Sequence, residues 1–294
     1  MSIKYSIIIC TYNRASFLKE TIDSILFHLT DTAKYELLIV DNNSTDQTAD
    51  VVRQYAEVPV VRYIFEKNQG LSYARNRGIQ EAQYPVIVFL DDDIEIHPRY
   101  LAVLDSQYQD SSVHIVGGKV LPFESQVPDW LPKKYFYLAS VYDAGENRMI
   151  VPKLMGANHS FRKEVAVKVG GYNTGIGPLG DFKLGGDENE FLLRAQKKGY
   201  QLLYHPDLIV YHKIQNRFNK EFILTYSYNI GATEANIDYS HRPLFLNLRI
   251  LKYRMENLLD KLQSTIAPTS DFVKVFRREH RKGYLNFIKK QSRK

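Results

Sequence analysis

The stretch VIVFLDDD at residues 86–93 is an apolar run that ends in three adjacent aspartates. An apolar run without polar alternation is typical of a strand that is covered on both faces. Comparable runs occupy residues 5–10, 37–40 and 60–65, and stretches with helical spacing of apolar residues separate them. Strands that alternate with helices in this way predict an α/β fold with a doubly wound, mostly parallel sheet.

Polar segments directly follow each of these apolar runs. They are TYNR at 11–14, DNNS at 41–44, NQG at 68–70 and the aspartates at 91–93. In an open parallel sheet, ligands bind beyond the carboxyl ends of the strands. We therefore expect these four segments to line one functional site.

The aspartate triplet indicates a cation site. Three adjacent carboxylates repel one another, so the arrangement costs stability unless a cation is bound. Carboxylates suit hard ions such as Mg²⁺ or Mn²⁺, which often also hold a substrate phosphate. The alternative is a solvated turn that caps a helix beginning near Pro98.

The composition is that of a globular protein and excludes several other classes. The chain has 294 residues, of which 44% are hydrophobic and 24% charged. Its single cysteine, Cys10, excludes a disulfide framework and a cysteine-built zinc site. The sequence shows no apolar run long enough for a membrane span and no signal-peptide pattern, so a cytoplasmic location is expected.

One glycine pattern resembles a dinucleotide-binding motif but lacks its context. Residues 175–180 read GIGPLG, which matches G-x-G-x-x-G, yet they contain a proline and neither follow a strand nor open a helix. Seven of the 16 glycines lie between Gly170 and Gly186, which predicts a mobile loop there. NAD chemistry of the common kind is therefore not indicated.

The charge is concentrated at the C-terminus. The net charge is +6, and residues 241–294 carry 14 Lys or Arg against 4 Asp or Glu. The rest of the chain is mildly acidic, which argues against nucleic-acid binding. We predict a catalytic domain over residues 1–218 and divide it near residue 120, where the regular alternation of strands and helices ends and an irregular segment at 122–150 begins. Residues 219–294 then form a helical, basic extension.

Two interpretations of residues 270–294 are open. Large apolar residues lie between the cations of this segment, so it could form a basic amphipathic helix that docks on anionic lipid. In that case the protein is peripheral at the inner face of the cell membrane. Alternatively, the helix packs on the catalytic domain and its basic face is merely solvated.

Seven ordered segments resemble the motifs of family 2 glycosyltransferases. These are IIICTYNR at 7–14, LLIVDNNSTDQT at 37–48, NQGLSYARNRG at 68–78, VIVFLDDD at 86–93, GANHSFRKEV at 156–165, GGY at 170–172 and GGDENEFLLR at 185–194. The resemblance covers roughly residues 4–215, and it implies a nucleotide half at 1–120 and an acceptor half at 121–218 of the catalytic domain. It implies the GT-A fold and inverting transfer from a nucleotide-diphosphate sugar.

The same resemblance assigns the residues of the donor site. It implies a nucleotide pocket formed by Thr11, Tyr12, Asn13, Arg14, Asp41, Asn68, Gly70, Arg75, Asp91 and Asp92. For the metal it implies an Asp-x-Asp pair, Asp91 and Asp93, of which Asp93 is the direct ligand. His212 lies where family members supply a second metal ligand. An imidazole beside carboxylates would favour Mn²⁺ somewhat over Mg²⁺.

The general base is one of two neighbouring carboxylates. The family motif commonly reads Glu-Asp, whereas this chain has Asp187-Glu188, so position for position Glu188 falls on the base. Asp187 remains the alternative. On the acceptor side we single out Asn158 in the GANHS motif and Trp130, whose aromatic segment either binds sugar or packs on the C-terminal helices.

The sequence thus predicts a metal-dependent inverting glycosyltransferase. The expected partners are a nucleotide-diphosphate sugar, most simply a UDP-sugar, and a polysaccharide or lipid-linked glycan acceptor. Two alternatives are a nucleotidyltransferase that makes the sugar nucleotide and a binding module without catalysis. The loop TYNRAS at 11–16 is not the glycine-rich loop of the first, and the intact carboxylates argue against the second.

Overall fold

The computed structural model describes residues 3–176, 186–266 and 271–292. The segment 177–185 lies outside the described residues. Most of the GIGPLG pattern and of the predicted mobile loop therefore lies there too.

Nine strands of the described chain form one sheet. They are β1 Tyr5–Thr11, β2 Tyr35–Asp41, β3 Val61–Phe65, β4 Val86–Leu90, β5 Ile94–Ile96, β6 Ile115–Pro122, β7 Met149–Ile150, β8 Asn158–Arg162 and β9 Leu202–His212. Their order is β3-β2-β1-β4-β8-β6-β9-β5, with β7 paired to β9. The first four strands are mutually parallel, as predicted.

The helices described are named in chain order. They are α1 Ala15–His28, α2 Thr48–Arg53, α3 Leu71–Glu81, α4 Tyr100–Tyr108, α5 Lys163–Val169, α6 Asp187–Lys197, α7 Lys220–His241, α8 Pro243–Ile266 and α9 Phe272–Gln291. The segment 122–150, which is rich in proline and aromatic residues, contains β7 and a short 3₁₀ helix at Lys133–Ala139.

Helices cover both faces of the parallel half of the sheet. On one face, Ile7 and Ile9 of β1 pack in a cluster that includes apolar residues of α1, α2 and α4. On the other face, Ile8 belongs to a cluster with residues of α3, α5 and α6. Alternate side chains of one strand therefore enter two cores, which explains why these strands lack period-two alternation.

The second half of the sheet is largely antiparallel and carries one irregularity. The apolar runs at 200–204 and 208–211 suggest two separate strands, but β9 is continuous, and its register against β6 shifts at Gly118. A Cβ at Gly118 would lie 1.8 Å from the Leu208 carbonyl oxygen, so only glycine fits this approach. Pro206, which lacks an N–H, falls in the shifted segment of β9.

The start of α2 differs from the capping box that the sequence suggests. Ser44 and Gln47 have the spacing of such a box. The helix begins only at Thr48, whose N–H donates to Asp46 Oδ1 at 3.0 Å. Ser44 instead donates its backbone N–H to Asp41 Oδ1, because the chain after β2 first forms a turn.

The described chain divides into two compact units. Unit 1 holds residues 1–126, 140–175 and 187–215 and contains the whole sheet. Unit 2 holds residues 127–139, 176–186 and 216–294. The aromatic segment 127–139, which we predicted as part of an acceptor half, thus clusters with the C-terminal helices.

Unit 2 is built on a close packing of α7 against α9. A Cβ at Gly231 would lie 2.0 Å from the His280 carbonyl oxygen, and one at Gly283 would lie 1.9 Å from that of Tyr228. The two backbones can approach this closely only because both positions lack a side chain. Among the described residues, no helix combines the length and apolarity needed to cross a bilayer.

The large apolar residues of α9 point inward. Phe276 and Tyr284 are buried, and Phe272, Leu285 and Ile288 are half-buried. The exposed positions of the helix are polar or charged: Lys274, Arg277, Lys282, Asn286, Lys289 and Lys290. The apolar side of α9 therefore packs within unit 2, and its exposed side is basic.

We expect Gly231→Ala to destabilise unit 2, even though alanine is the better helix former. The added methyl group must push two helix backbones apart, which costs about 1–3 kcal/mol of unfolding free energy as overpacking does elsewhere. Thermal unfolding followed by circular dichroism measures the effect. The control Thr225→Ala changes an exposed residue of the same helix. An unchanged or raised melting temperature in Gly231→Ala would contradict the close packing.

Candidate active site

The candidate site lies at the carboxyl edge of the parallel strands. Thr11, the last residue of β1, is the register partner of Asp41 at the end of β2. The aspartates 91–93 follow β4, which pairs with β1 on its other side. The sheet therefore gathers three of the four polar segments that the sequence singled out.

His212 joins the aspartates through the pairing of β5 with β9. Ile94 is the register partner of His212, which brings the imidazole next to a segment more than a hundred residues earlier. The ring is fully buried, and its Nε2 donates to Asp93 Oδ1 at 2.8 Å and lies 3.7 Å from Asp91 Oδ2. One ligand atom from each of Asp91, Asp93 and His212 lies within 4.8 Å of the other two.

Arg14 and Thr11 hold the inner carboxylates. Arg14 Nη2 donates to Asp93 Oδ2 at 2.5 Å, and its Nη1 lies 3.3 Å from Asp92 Oδ1. The Thr11 hydroxyl donates to Asp92 Oδ2 at 2.7 Å. Burial raises the pKa of Asp92 to about 7; the Arg14 charge opposes this rise and the Asp93 charge adds to it. Asp91 is the most accessible of the three, with its side chain 35% exposed.

A second cluster surrounds the guanidinium of Arg75, which projects from α3. Arg75 is buried, and its Nη1 donates to Asp187 Oδ2 at 2.6 Å and lies 3.8 Å from Glu188 Oε2. The guanidinium also lies over the rings of Phe89 and Tyr172, at 5.7 and 5.2 Å from their centroids. It is therefore held by charge on one side and by aromatic faces on the other.

Asp187 and Glu188 begin α6 but occupy different environments. Asp187 is 1% exposed, and its Oδ2 accepts the bond from Arg75 and a longer one from Ser72 Oγ at 3.3 Å. The side chain of Glu188 remains 14% exposed. Burial, together with the neighbouring Asp187 charge, raises the pKa of Glu188 to about 7, and Arg75 acts in the opposite direction.

The close packing around Gly156 explains why a glycine precedes the ANHS segment. A Cβ at this position would lie 3.1 Å from Arg75 Nη2 and 3.3 Å from Glu188 Cδ. A side chain here would crowd both charged groups. Glycine therefore leaves room for the guanidinium and the carboxylate to lie side by side.

A neutral histidine is hydrogen-bonded to two residues next to Arg75. His159 is fully buried, and burial together with the charge of Arg75 lowers its pKa to about 3. Its Nδ1 lies 2.9 Å from the Gly156 carbonyl oxygen, so this nitrogen carries the proton. Its Nε2 then accepts from the Tyr172 hydroxyl at 2.7 Å. This chain of bonds fixes Gly156 and Tyr172, which both contact Arg75.

The loops after β1 and β2 are joined by hydrogen bonds. Asn13 has a positive φ of 52°, and its Oδ1 accepts from the backbone N–H of Thr45 at 2.7 Å. Asp41 accepts from the Tyr63 hydroxyl at 2.7 Å, and Tyr12 is half-buried in the same region. The residues assigned to the nucleotide by resemblance thus share one surface at the ends of β1 and β2.

Asn42 is a site-shaping residue that the sequence analysis missed. Its Oδ1 accepts from the Gly70 N–H at 2.7 Å, and its Nδ2 donates to the Asn68 carbonyl at 2.7 Å. Gly70 has a φ of 133°, which side chains rarely tolerate, and it directly precedes α3. Asn42 therefore stabilises the turn that sets the direction of α3 and the position of Arg75. In the sequence, its place in the polar DNNS run could have indicated this role.

Both residues assigned to the acceptor make contacts within the described structure, and only Trp130 remains partly exposed. Asn158 is fully buried, accepts from the Tyr100 hydroxyl, and donates to the carbonyls of Lys119 and Leu208. Trp130 belongs to unit 2, where its ring packs edge-on against Phe272 at 5.1 Å. These contacts are structural ones. Acceptor binding by Asn158 or Trp130 stays a prediction.

The site carries more negative than positive charge. Two guanidinium groups, of Arg14 and Arg75, face five carboxylates: Asp91, Asp92, Asp93, Asp187 and Glu188. A polyanionic ligand could bind here only if a further cation compensates this excess. The oxygen and imidazole ligands at Asp91, Asp93 and His212 suit a divalent ion such as Mn²⁺ or Mg²⁺.

Comparison with known proteins identifies the family to which the chain is similar. Residues 6–170 match the family model described as Glycosyl transferase family 2. A glucosyl-dolichyl phosphate glucuronosyltransferase of Haloferax volcanii is 25% identical over 93% of this chain and 92% of its own length. Glycosyltransferase AglE of the same organism is 27% identical over 70% of this chain and 66% of its own length.

Two solved structures share the fold. The mannosyltransferase PcManGT of Pyrobaculum calidifontis, in complex with GDP-Man and Mn²⁺, superimposes with a TM-score of 0.67 at 16% identity over 98% of this chain and 88% of that one. Residues 1–349 of TarS from S. aureus give a TM-score of 0.56 at 15% identity, over 99% and 92% of the two chains.

We expect Glu188→Gln to raise the melting temperature at pH 8 and to have little effect at pH 5. The pKa of Glu188 in the folded protein lies above its ordinary value of 4.5, so the folded state binds this proton more tightly. The contribution of Glu188 to stability is therefore complete below pH 4.5 and is lost as the pH rises through about 7. Thermal melts of both proteins from pH 5 to 8, in the presence of chelator, measure this difference.

The matched control for this pH series is Glu57→Gln, which changes an exposed glutamate. It should leave the melting temperature unchanged at every pH. A Glu188→Gln variant that is less stable than the wild type at pH 8 would show that the carboxylate is not destabilised by its surroundings.

Proposed function

The chain belongs to glycosyl transferase family 2 and is a glycosyltransferase with the GT-A fold, and from this premise we propose that it transfers a sugar from a nucleotide-diphosphate sugar to a hydroxyl of a lipid-linked glycan, with inversion and with a divalent cation. A nucleotidyltransferase and a binding module without catalysis, the two alternatives considered from sequence, do not agree with this membership.

The observation that carries the proposal is the adjacency of the two clusters. Cys10, near the end of β1, lies close enough to both clusters for its thiol to interact with the charges of Arg75 and Asp187 and with those of Asp91 and Asp92. One side supplies ligands for a cation. The other supplies a carboxylate with a pKa near neutrality. Transfer of a sugar from a diphosphate to a hydroxyl needs these two groups side by side.

Asp91, Asp93 and His212 would hold the divalent cation. Their carboxylate and imidazole ligand atoms already lie close together, which fits such an ion and favours Mn²⁺ somewhat over Mg²⁺. When bound, the cation would supply positive charge to the diphosphate as it leaves. Arg14 orients Asp93, since its guanidinium donates to the oxygen that His212 does not occupy.

Glu188 is proposed as the general base. The acceptor oxygen attacks the anomeric carbon from the face opposite the leaving group, the bond from that carbon to the diphosphate oxygen breaks, and the hydroxyl proton passes to Glu188. A pKa near 7 lets this carboxylate accept a proton at neutral pH. Asp187 is less suited, because it is 1% exposed and ion-paired with Arg75.

Arg75 and Asp187 are proposed as positioning residues. The guanidinium contacts Asp187 and lies near Glu188, so it orients the base without receiving the proton. Thr11, Tyr12, Asn13, Asp41, Asn68 and Gly70 would line the nucleotide. Their shared edge of the sheet supports this proposal.

The donor and the acceptor are proposed by class. We keep a UDP-sugar as the first donor and take GDP-mannose as the second, since the Pyrobaculum structure contains it. A lipid-linked acceptor is preferred to a free polysaccharide, because the Haloferax relative is named for a glucosyl-dolichyl phosphate. Such an acceptor would place the enzyme in the cytoplasm, at the inner face of the membrane.

We expect Asp91→Asn and Asp93→Asn each to weaken Mn²⁺ binding by at least about tenfold and to abolish transfer. Each substitution keeps the shape of the side chain but removes a charged ligand. Titration calorimetry with Mn²⁺, with and without the donor, measures the affinity. The control Asp50→Asn makes the same change at an exposed aspartate of α2. Full transfer by either site variant, or by the wild type in excess chelator, would contradict the cation assignment.

We expect Glu188→Gln to bind the donor normally and to lose transfer by about a hundredfold or more. Asp187→Asn should lower the melting temperature, because it leaves the buried Arg75 charge without its closest partner. Donor binding, transfer rate and melting temperature are measured for both variants. If Asp187→Asn folds normally but is inactive while Glu188→Gln is nearly normal, the base is Asp187.

A further inference from the structure

Helix α8 in unit 2 presents an exposed apolar face. Eight large apolar side chains along it are each 55% to 83% exposed: Leu244, Phe245, Leu248, Leu251, Met255, Leu258, Leu259 and Leu262. Most of them recur at intervals of three and four residues, so they lie on one side of the helix. Scattered exposed apolar residues need no explanation, but a continuous row along one helix indicates a binding surface.

The opposite side of α8 is fixed by contacts within unit 2. Arg249 pairs with Asp238 of α7 at 2.8 Å, and the ring of Tyr253 packs against that of Tyr284 at 5.1 Å. Arg281 of α9 donates to Asn257 of α8 at 2.9 Å. These contacts define which side of α8 faces outward, and that side is the apolar one.

The charges of α8 are sorted between its two sides. Both acidic residues, Glu256 and Asp260, pair with Arg281 of α9, and Glu256 also lies 3.9 Å from Lys252. The exposed charged residues from 243 to 262 are all cationic: Lys252, Arg254 and Lys261. At about 100° per residue, Arg254 and Lys261 lie along one border of the apolar row and Lys252 lies near the other.

We propose that α8 is an interfacial helix that lies in the plane of a bilayer containing anionic lipids. Its apolar row would enter the boundary between headgroups and acyl chains, and the bordering cations would contact lipid phosphates. This inference stands on the surface of α8 and goes beyond the proposed sugar transfer. It also differs from docking through residues 270–294, because the large apolar residues of α9 point inward.

A second copy of the chain is the other occupant to consider. A row of leucines at three- and four-residue spacing also suits pairing of helices. Two copies of this face, however, would bring cationic borders together with no exposed acidic residue between 243 and 262 to pair with them. A bilayer that contains anionic lipids is complementary both to the apolar row and to its cationic borders.

The test is flotation of the full chain with vesicles, in low and high salt. We expect binding to phosphatidylcholine vesicles that contain phosphatidylglycerol, weaker binding to phosphatidylcholine alone, and loss of binding as salt rises. The triple variant Leu248→Ser, Leu251→Ser, Met255→Ser should bind at least tenfold less. Because all three sites are exposed, its circular dichroism spectrum and Mn²⁺ affinity should equal those of the wild type.

A matched pair of charge variants separates α8 from α9. Lys252→Gln, Arg254→Gln, Lys261→Gln removes three cations from α8, and Lys274→Gln, Arg277→Gln, Lys282→Gln removes three exposed cations from α9. The α8 variant should lose more vesicle binding than the α9 variant. A wild type that never floats, equal binding by the serine variant, or a larger loss in the α9 variant would each overturn the proposal.

Light scattering tests whether a second copy of the chain covers this face. A concentration-dependent dimer that the serine variant dissociates would show that a second copy covers the face, and it would overturn the membrane proposal. Because flotation needs no sugar donor, failure of the transfer assay and failure of membrane binding are separate results.

Discussion

A buried guanidinium holds together the half of the candidate site that contains Asp187 and Glu188. Arg75 is desolvated by the surrounding protein, and such a charge is tolerated only when an opposite charge and good geometry compensate the loss of water. Asp187 provides that compensation at 2.6 Å, and the rings of Phe89 and Tyr172 cover the rest of the group. Because Asp187 is engaged in this way, its neighbour Glu188 is left as the carboxylate that burial makes basic.

The other half of the candidate site, around Asp93, depends on the topology of the sheet rather than on one ion pair. β5 is three residues long, yet its pairing with β9 sets His212 beside Asp93. The same aspartate also accepts a bond from Arg14, which follows β1. Three segments distant in sequence thus converge on one carboxylate. Their convergence turns an electrostatically unfavourable triplet into an ordered group of ligands.

Unit 2 shows how charge and apolarity can be separated between two helices. The basic tail looks amphipathic in sequence, but Phe276 and Tyr284 of α9 pack inside unit 2. That packing uses the acidic residues of α8 as partners for Arg281. The exposed side of α8 is consequently left apolar with cationic borders. Which helix faces outward was decided by these partners, and composition alone could not reveal them.

The sequence by itself determined the fold class, the family motifs and the polar strand ends, because apolar runs and the residues directly after them are local patterns. It left Asp187 and Glu188 as alternative candidates for the base, and it could not show how they differ in burial and in their distance to Arg75. It missed Asn42, and it assigned Asn158 to the acceptor although the fold buries that amide among backbone carbonyls. It also could not show that α8 rather than α9 exposes an apolar face. Only the tertiary structure decided these points, because desolvation, long-range pairing and the partners of a charge depend on residues that are far apart in the chain.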